Sequence, residues 1–190
     1  QVKTCIIFSA LNTPGITEIY SKSSRNHTEL MLKFLNYPIK VIKKPEYEKI
    51  IVEGLKQFKS FDYSVPGDIS SASFFIVLTL LSNNSKLVIE KVNVNKSRIG
   101  IIYILNKMRA EIKLKNKKIY NGEETADIYV KSKNNLNAVN CPSKLNSSAI
   151  DEFLIIFLVA AKAKGVSKFR DLGEMNKKES KRLDLAVKFL

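Results

Sequence analysis

The sequence predicts an α/β fold assembled from copies of one layered unit, with helices covering sheet faces. Two observations carry this. Helical and strand-like patterns alternate along all 190 residues, the signature of helices laid on sheets. The order helix, strand, helix, strands also recurs. Ser70-Ser71-Ala72 and Ser147-Ser148-Ala149 each open an apolar stretch, followed by a strand-like segment, a polar turn and a second helix. Such a repeat is too long for a solenoid, whose units run to about 20–50 residues.

The first unit reads as an apolar helix from Val2 to Leu11, a turn at Thr13-Pro14-Gly15 and a strand from Thr17 to Tyr20. Polar Ser21 to Ser24 lead into a helix from His27 to Leu35, and strands Ile39 to Lys43 and Lys49 to Glu53 follow. Asn26 suits the N-cap of that helix, with Glu29 completing a capping-box-like pair. In "VPGDISSASFF", Pro66 and Gly67 mark a turn ahead of a helix, with Asp68 or Ser70 as its cap, and a natural domain boundary.

The second unit continues with the apolar stretch Phe74 to Leu81, a strand from Lys86 to Val92, a polar turn Asn93 to Ser97 and a helix from Arg98 to Met108. Ile101, Leu105 and Met108 share one face of that helix. Strands Glu111 to Leu114 and Ile128 to Val130 flank the turn signal Asn121-Gly122. The third unit has an apolar helix from Phe153 to Ala163 and a strand-like segment from Ser167 to Leu172. It closes with an amphipathic helix on which Leu183, Ala186 and Leu190 align. With no initial Met at Gln1 and an end inside a helical pattern at Leu190, the chain is expected to be an internal fragment.

Composition narrows the function. Hydrophobic residues make up 45% and charged residues 26%, ordinary for a soluble chain. No apolar run reaches the ~18 residues that cross a bilayer, and no signal-peptide pattern opens the chain, so a cytoplasmic protein is expected. Cys5 and Cys141 stand outside any CxxC or Cys/His grouping, which reads as two free thiols and no metal site. The net charge of +14 favours nucleic acid or anionic substrates. Lys outnumbers Arg 27 to 5 and Asn occurs 16 times, a bias that AT-rich coding also produces. The lysines are dispersed, and no aromatic-rich strand accompanies them, so a nucleic-acid platform is disfavoured against a phosphorylated small substrate.

Several charges allow chemistry. Lys178 and Arg182 lie at i, i+4 in the first turns of the last helix, and Glu179 pairs with Arg182 at i, i+3. Cations there oppose the macrodipole, so this is either a solvated face or one wall of an anion site. Ser148 to Asp151 has capping-box-like spacing. Asp151 is thus either a cap or a carboxylate held at a helix start to act as a base, while Glu152 points elsewhere on the helix. Arg25 precedes its helix where Lys178 precedes the corresponding one, and Arg98 holds that place in the second unit. His27, the only histidine, reads as a structural hydrogen-bonding residue. No zinc spacing, nucleophile elbow or Walker loop occurs, so the chemistry expected is acid/base and electrostatic.

Seven stretches in order, QVKTCIIFSAL, SRNHTELML, VPGDISSASFF, MRAEI, GEETADI, IDEFL and EMNKKESKR, resemble motifs of the 5-enolpyruvylshikimate-3-phosphate synthase family (3-phosphoshikimate 1-carboxyvinyltransferases). The resemblance implies the enolpyruvyl transferase fold: six βαβαββ units in two domains, present here only in part. Residues 1–64 would then end the first domain, 65–68 cross between domains, and 69–190 form most of the second. It also implies transfer of the enolpyruvyl group from phosphoenolpyruvate to the 5-hydroxyl of shikimate 3-phosphate, releasing phosphate, in aromatic amino acid biosynthesis. By motif match Asp151 accepts the 5-hydroxyl proton, and Glu179 gives and takes the proton at the enolpyruvyl carbon. Lys178 and Arg25 match shikimate-phosphate ligands, Arg182 a phosphoenolpyruvate ligand, and Gln1 a glutamine touching both substrates.

No metal or cofactor is implied, no nucleic-acid or membrane partner, and the intact enzyme is expected to be a monomer. Asn176, Lys177 and Lys181 depart from the family pattern, and Arg109 stands where it has glycine, which is expected to distort a turn. Other family ligands fall outside these 190 residues, so the isolated chain is expected to be inactive. The alternatives are the related UDP-N-acetylglucosamine enolpyruvyl transferase, whose cysteine-bearing loop is not seen here, and a basic nucleic-acid-binding module.

Overall fold

A computed structural model describes residues Val2–Leu190. The chain forms two compact units, Gln1–Val65 with Ile119–Glu123, and Pro66–Lys118 with Glu124–Leu190.

In the first unit, α1 (Val2–Leu11), β1 (Ile16–Ser21), α2 (His27–Phe34), β2 (Ile39–Lys43) and β3 (Glu48–Glu53) follow one another. The strands make an antiparallel sheet of order β1-β3-β2. Ile50 sits at its centre, opposite Ile19 on one side and Val41 on the other. Alternate residues of β3 point inward, as a half-covered strand requires. Ile50 and Val52 meet Ile7 and Ala10 of α1 and Leu32 of α2 in one core cluster.

Glu48 also points inward, and it explains a departure from expectation. Lys3 of α1 brings its Nζ to 2.6 Å from Glu29 and 3.7 Å from Glu48, with all three side chains buried. Ser23 Oγ donates to the other Glu48 oxygen at 3.0 Å. Asn26 occupies the N-cap of α2 without a side-chain cap bond, so the expected capping box with Glu29 does not form. A buried ammonium needs a counter-ion more than a helix end, which water can satisfy, needs a cap. The helix closes with Asn36 at φ 54°, its N–H on Lys33 O and that of Tyr37 on Leu32 O, a Schellman end. His27 is structural: its Nδ1 lies 2.5 Å from Glu123 Oε1.

The second unit contains α3 (Ile69–Leu81), β4 (Lys86–Asn93), α4 (Gly100–Lys107), β5 (Glu111–Tyr120) and β6 (Glu123–Lys131) apart from their hairpin end at 119–123, α5 (Asn146–Ala149), α6 (Phe153–Lys162) and α7 (Arg182–Phe189). The two residues that join β5 to β6, Asn121 and Gly122, have φ of 48° and 81°, the signs a two-residue type I′ hairpin demands. The strands order β4-β6-β5, with β4 antiparallel to β6. Ile101, Leu105 and Met108 are all fully buried in the core, as their spacing predicts.

Asp68 caps α3 by accepting from Ser71 N at 2.9 Å. Ahead of it, Gly67 makes a parallel bridge to Val92. Counting that bridge as a strand, the element order over residues 67–131 is βαβαββ.

Beyond β6 the repeat thins out. The expected strand Ser167 to Leu172 is reduced to a parallel bridge, Asn140↔Lys168, beside a second at Asn137↔Lys164. Asp171 turns to φ 59° and breaks the extension. Phe169 instead packs its ring on Phe153 and Phe157. On α7, Leu183 and Ala186 join the core, whereas Leu190 is exposed and leaves the expected stripe short. Among the described residues no helix is long and apolar enough to cross a membrane.

Candidate functional site

The second unit gathers four of the six residues singled out above. Asp151 lies in the turn between α5 and α6. That turn is placed by close packing at Gly100, the first residue of α4. A β-carbon there would stand 2.5 Å from Ser148 Oγ and 2.7 Å from Ser148 C. The expected capping box from Ser148 to Asp151 is absent: Ser148 Oγ donates to Leu145 O at 2.9 Å, and α6 has no side-chain cap.

Glu152 anchors the same turn from inside. It is only 2% exposed and accepts from Ser70 Oγ at 2.5 Å. Ser70 Oγ in turn accepts from Arg98 Nη2 at 2.5 Å, and the same guanidinium nitrogen reaches Asp68 Oδ1 at 3.3 Å. Burial pushes the Asp68 carboxyl up, but bonds from Ser71 and Ser70 and the Arg98 charge outweigh it and hold it below its ordinary value. Arg98, the counterpart of Arg25 and Lys178 in the repeat, thus ties α3 to the turn that carries Asp151.

The last segment departs from the helix expected around Lys178. Residues Gly173–Lys177 form a 3-10 turn, Lys178 is extended at φ −82° and ψ −171°, and α7 begins only at Arg182. Asn176 accounts for this. Its Oδ1 accepts from Leu183 N at 2.9 Å and Asp184 N at 3.4 Å, and its Nδ2 donates to Asp184 Oδ1 at 2.8 Å. The cap that α7 needs comes from six residues before its first residue, so 178–181 stay outside the helix.

The loop still brings the charges together. Lys178 Nζ lies 3.7 Å from Asp151 Oδ1, and Arg182 Nη1 lies 3.4 Å from the same oxygen. Arg182 also donates to Glu179 Oε1, from Nε at 3.0 Å and Nη2 at 2.5 Å. The hydrogen bond from Arg182 is the main force holding the Glu179 carboxyl below its ordinary range. The same bond, with Asp151 beside it, pushes the guanidinium up. Glu179 is the outermost member, with its side chain 68% exposed against 20% for Arg182. A hydroxyl placed at Asp151 meets a proton acceptor, and the two cations suit anionic groups.

Arg25 belongs to the first unit, half-buried between β1 and α2. Gln1 lies outside the described residues. Among the described residues no group of His, Cys, Asp and Glu is arranged to hold a metal ion. Asn176 and the Arg98–Ser70–Glu152 tie are missed by sequence reasoning, although the repeat flags Arg98 by position.

Comparison with known proteins bears on the family and the fold. The 3-phosphoshikimate 1-carboxyvinyltransferase of Legionella pneumophila (strain Corby) is 35% identical over 188 residues, covering 98% of this chain and 42% of that protein. The enzyme of the same name from Petrotoga mobilis is 38% identical over 185 residues, covering 96% of this chain and 42% of its own. The solved EPSP synthase of Acinetobacter baumannii superposes with a TM-score of 0.87 at 33% identity, over 98% of this chain and 41% of that one, so the α/β fold is the one seen there. The chain spans about two fifths of the length of these relatives. The family model for EPSP synthase (3-phosphoshikimate 1-carboxyvinyltransferase) matches residues 1–190, and this chain belongs to that family.

Proposed function

We propose that this chain is part of an enzyme that moves the enolpyruvyl group of phosphoenolpyruvate onto the 5-hydroxyl of shikimate 3-phosphate and releases phosphate. The observation that carries the reading is the convergence of Lys178 and Arg182 on Asp151, with Glu179 on the far side of Arg182. Asp151 takes the proton of the 5-hydroxyl, and Glu179 exchanges the proton at the enolpyruvyl carbon. Lys178 and Arg25 hold the shikimate phosphate, Arg182 holds phosphoenolpyruvate, and Gln1 touches both. Cations beside the reacting carboxylates supply the electrostatic part of the catalysis. In this reading residues 1–64 close one domain, 65–68 cross over, and 69–190 make most of the other. The intact enzyme works as a cytoplasmic monomer without cofactor, metal or nucleic acid.

The test is a chimera in which these 190 residues replace the matching part of the Legionella pneumophila enzyme. Phosphate release from phosphoenolpyruvate with shikimate 3-phosphate is followed. The chimera turns over, Asp151→Asn loses roughly 10²–10⁴-fold, as expected for a lost general base, and the isolated chain is inactive. A folded but inactive chimera, or an Asp151→Asn form at full rate, overturns the reading.

A further inference from the structure

Arg182 is not an open cation. Its Nε and Nη2 both donate to one oxygen of Glu179, and its Nη1 faces Asp151. The edge of the guanidinium that would grip a carboxylate or phosphate in two-point fashion is therefore occupied. Its occupant is the most exposed member of the cluster. Glu179 sits in the loop before α7, so it can leave without disturbing a helix.

We propose that Glu179 is a stand-in for the ligand: an incoming anionic group displaces it from Arg182, and the released carboxylate then takes up a proton from solvent. The inference rests on the reading of Arg182 as an anion ligand. The charge balance follows from the neighbours. While Arg182 holds Glu179, the carboxyl is kept ionised. Once the guanidinium is shared with a ligand, that stabilisation goes, and a new negative group stands beside Glu179. Lys178 remains as the cation that favours the ionised form, and Asp151 adds a negative charge across Arg182. Asp184, on the first turn of α7, is turned to Asn176. Binding thus frees the Glu179 carboxyl from its ion pair and makes it easier to protonate, although its backbone hydrogen bond and Lys178 still favour the ionised form. Chemically, one proton is taken from a buffer acid, whose conjugate base stays in solution, one Arg182–Glu179 pair breaks, and one Arg182–ligand pair forms.

Carboxyl-carbon NMR of the chimera with the Legionella pneumophila enzyme described above, titrated with pH in the presence of shikimate 3-phosphate with and without phosphoenolpyruvate, tests this. Inorganic phosphate and pyruvate serve as single-group arms to tell which group displaces Glu179. The Arg182 Nε–H resonance is expected to shift with ligand while the Glu179 midpoint moves up. Glu179→Gln, which no longer competes as a charge, binds phosphoenolpyruvate about two- to five-fold more tightly, the range an exposed ion pair supports. The fall in affinity with rising pH that proton uptake causes is also reduced in that variant. An Arg182 shift with an unmoved Glu179 midpoint, or weaker binding by Glu179→Gln, overturns the stand-in role and leaves the reading of Arg182 intact. If saturating phosphoenolpyruvate moves neither Arg182 nor Lys178, both fall.

Discussion

Replacing Arg109 by glycine stabilises the second unit. Arg109 follows the C-cap of α4 at φ 66°. Its N–H donates to Asn106 O at 3.0 Å, and the next N–H, of Ala110, donates to Leu105 O at 3.0 Å. These two bonds are a Schellman end, whose pivotal residue must be left-handed. A side chain in that conformation costs roughly 1–2 kcal/mol. Glycine removes the cost but loses about 0.5–1 kcal/mol more backbone entropy on folding. The guanidinium offsets little, since Arg109 is exposed. The net gain is about 0.5–1 kcal/mol. Urea unfolding followed by circular dichroism should show a higher midpoint at unchanged slope, and amide exchange at Ala110 should slow. Arg109→Ala keeps the β-carbon and should gain nothing. If glycine proves neutral or harmful while alanine matches the parent, the left-handed strain is not there and the reasoning fails.

Lys3→Met strands two buried carboxylates, Glu29 and Glu48, and should cost roughly 3–5 kcal/mol in urea unfolding; a loss under 1 kcal/mol would mean that water reaches the triad. Gly100→Ala drives a methyl to 2.5 Å from Ser148 Oγ and should lower thermal stability by roughly 1–3 kcal/mol, with the Asp151 turn the first region to lose exchange protection. The Glu18, Asp68, Asp127 and Glu179 carboxyls are all held below their ordinary values. A depressed folded-state value stabilises fully above the unfolded carboxylate range and is lost as pH falls through the folded value. Stability should therefore hold from neutral pH down to about pH 4 and decline below it, as read by melting temperature against pH. A maximum below pH 4 would contradict these directions.

Much of this was legible in local patterns. The ranges Val2–Leu11 and Ile39–Lys43 coincide with α1 and β2, because apolar periodicity, β-branched residues and turn residues act over a few positions. The repeat order was legible for the same reason. What failed depended on distant partners. Nothing near Glu29 announces that Lys3 will claim it in place of a cap. Lys178 reads as helical until Asn176 is seen to cap α7 from outside. By spacing Asp151 fits a cap better than a base. The fold adds what spacing cannot show, Lys178 and Arg182 brought to one of its oxygens. Ser167 to Leu172 has strand composition but finds only a single bridging residue to pair with in its own stretch.

In both sheets the strand latest in sequence takes the centre, β3 between β1 and β2, and β6 between β4 and β5. During synthesis on the ribosome, then, neither sheet can close gradually. Its two outer strands wait with unpaired edges until the final one emerges, which begins 32 or 37 residues after the first, about 2–7 seconds at usual elongation rates. The helices made by then, α1 and α2 in the first sheet and α3 and α4 in the second, are the elements able to shield their apolar faces in that interval. That gives a kinetic reason for an apolar helix face opposite every such sheet, separate from its contribution to the finished fold.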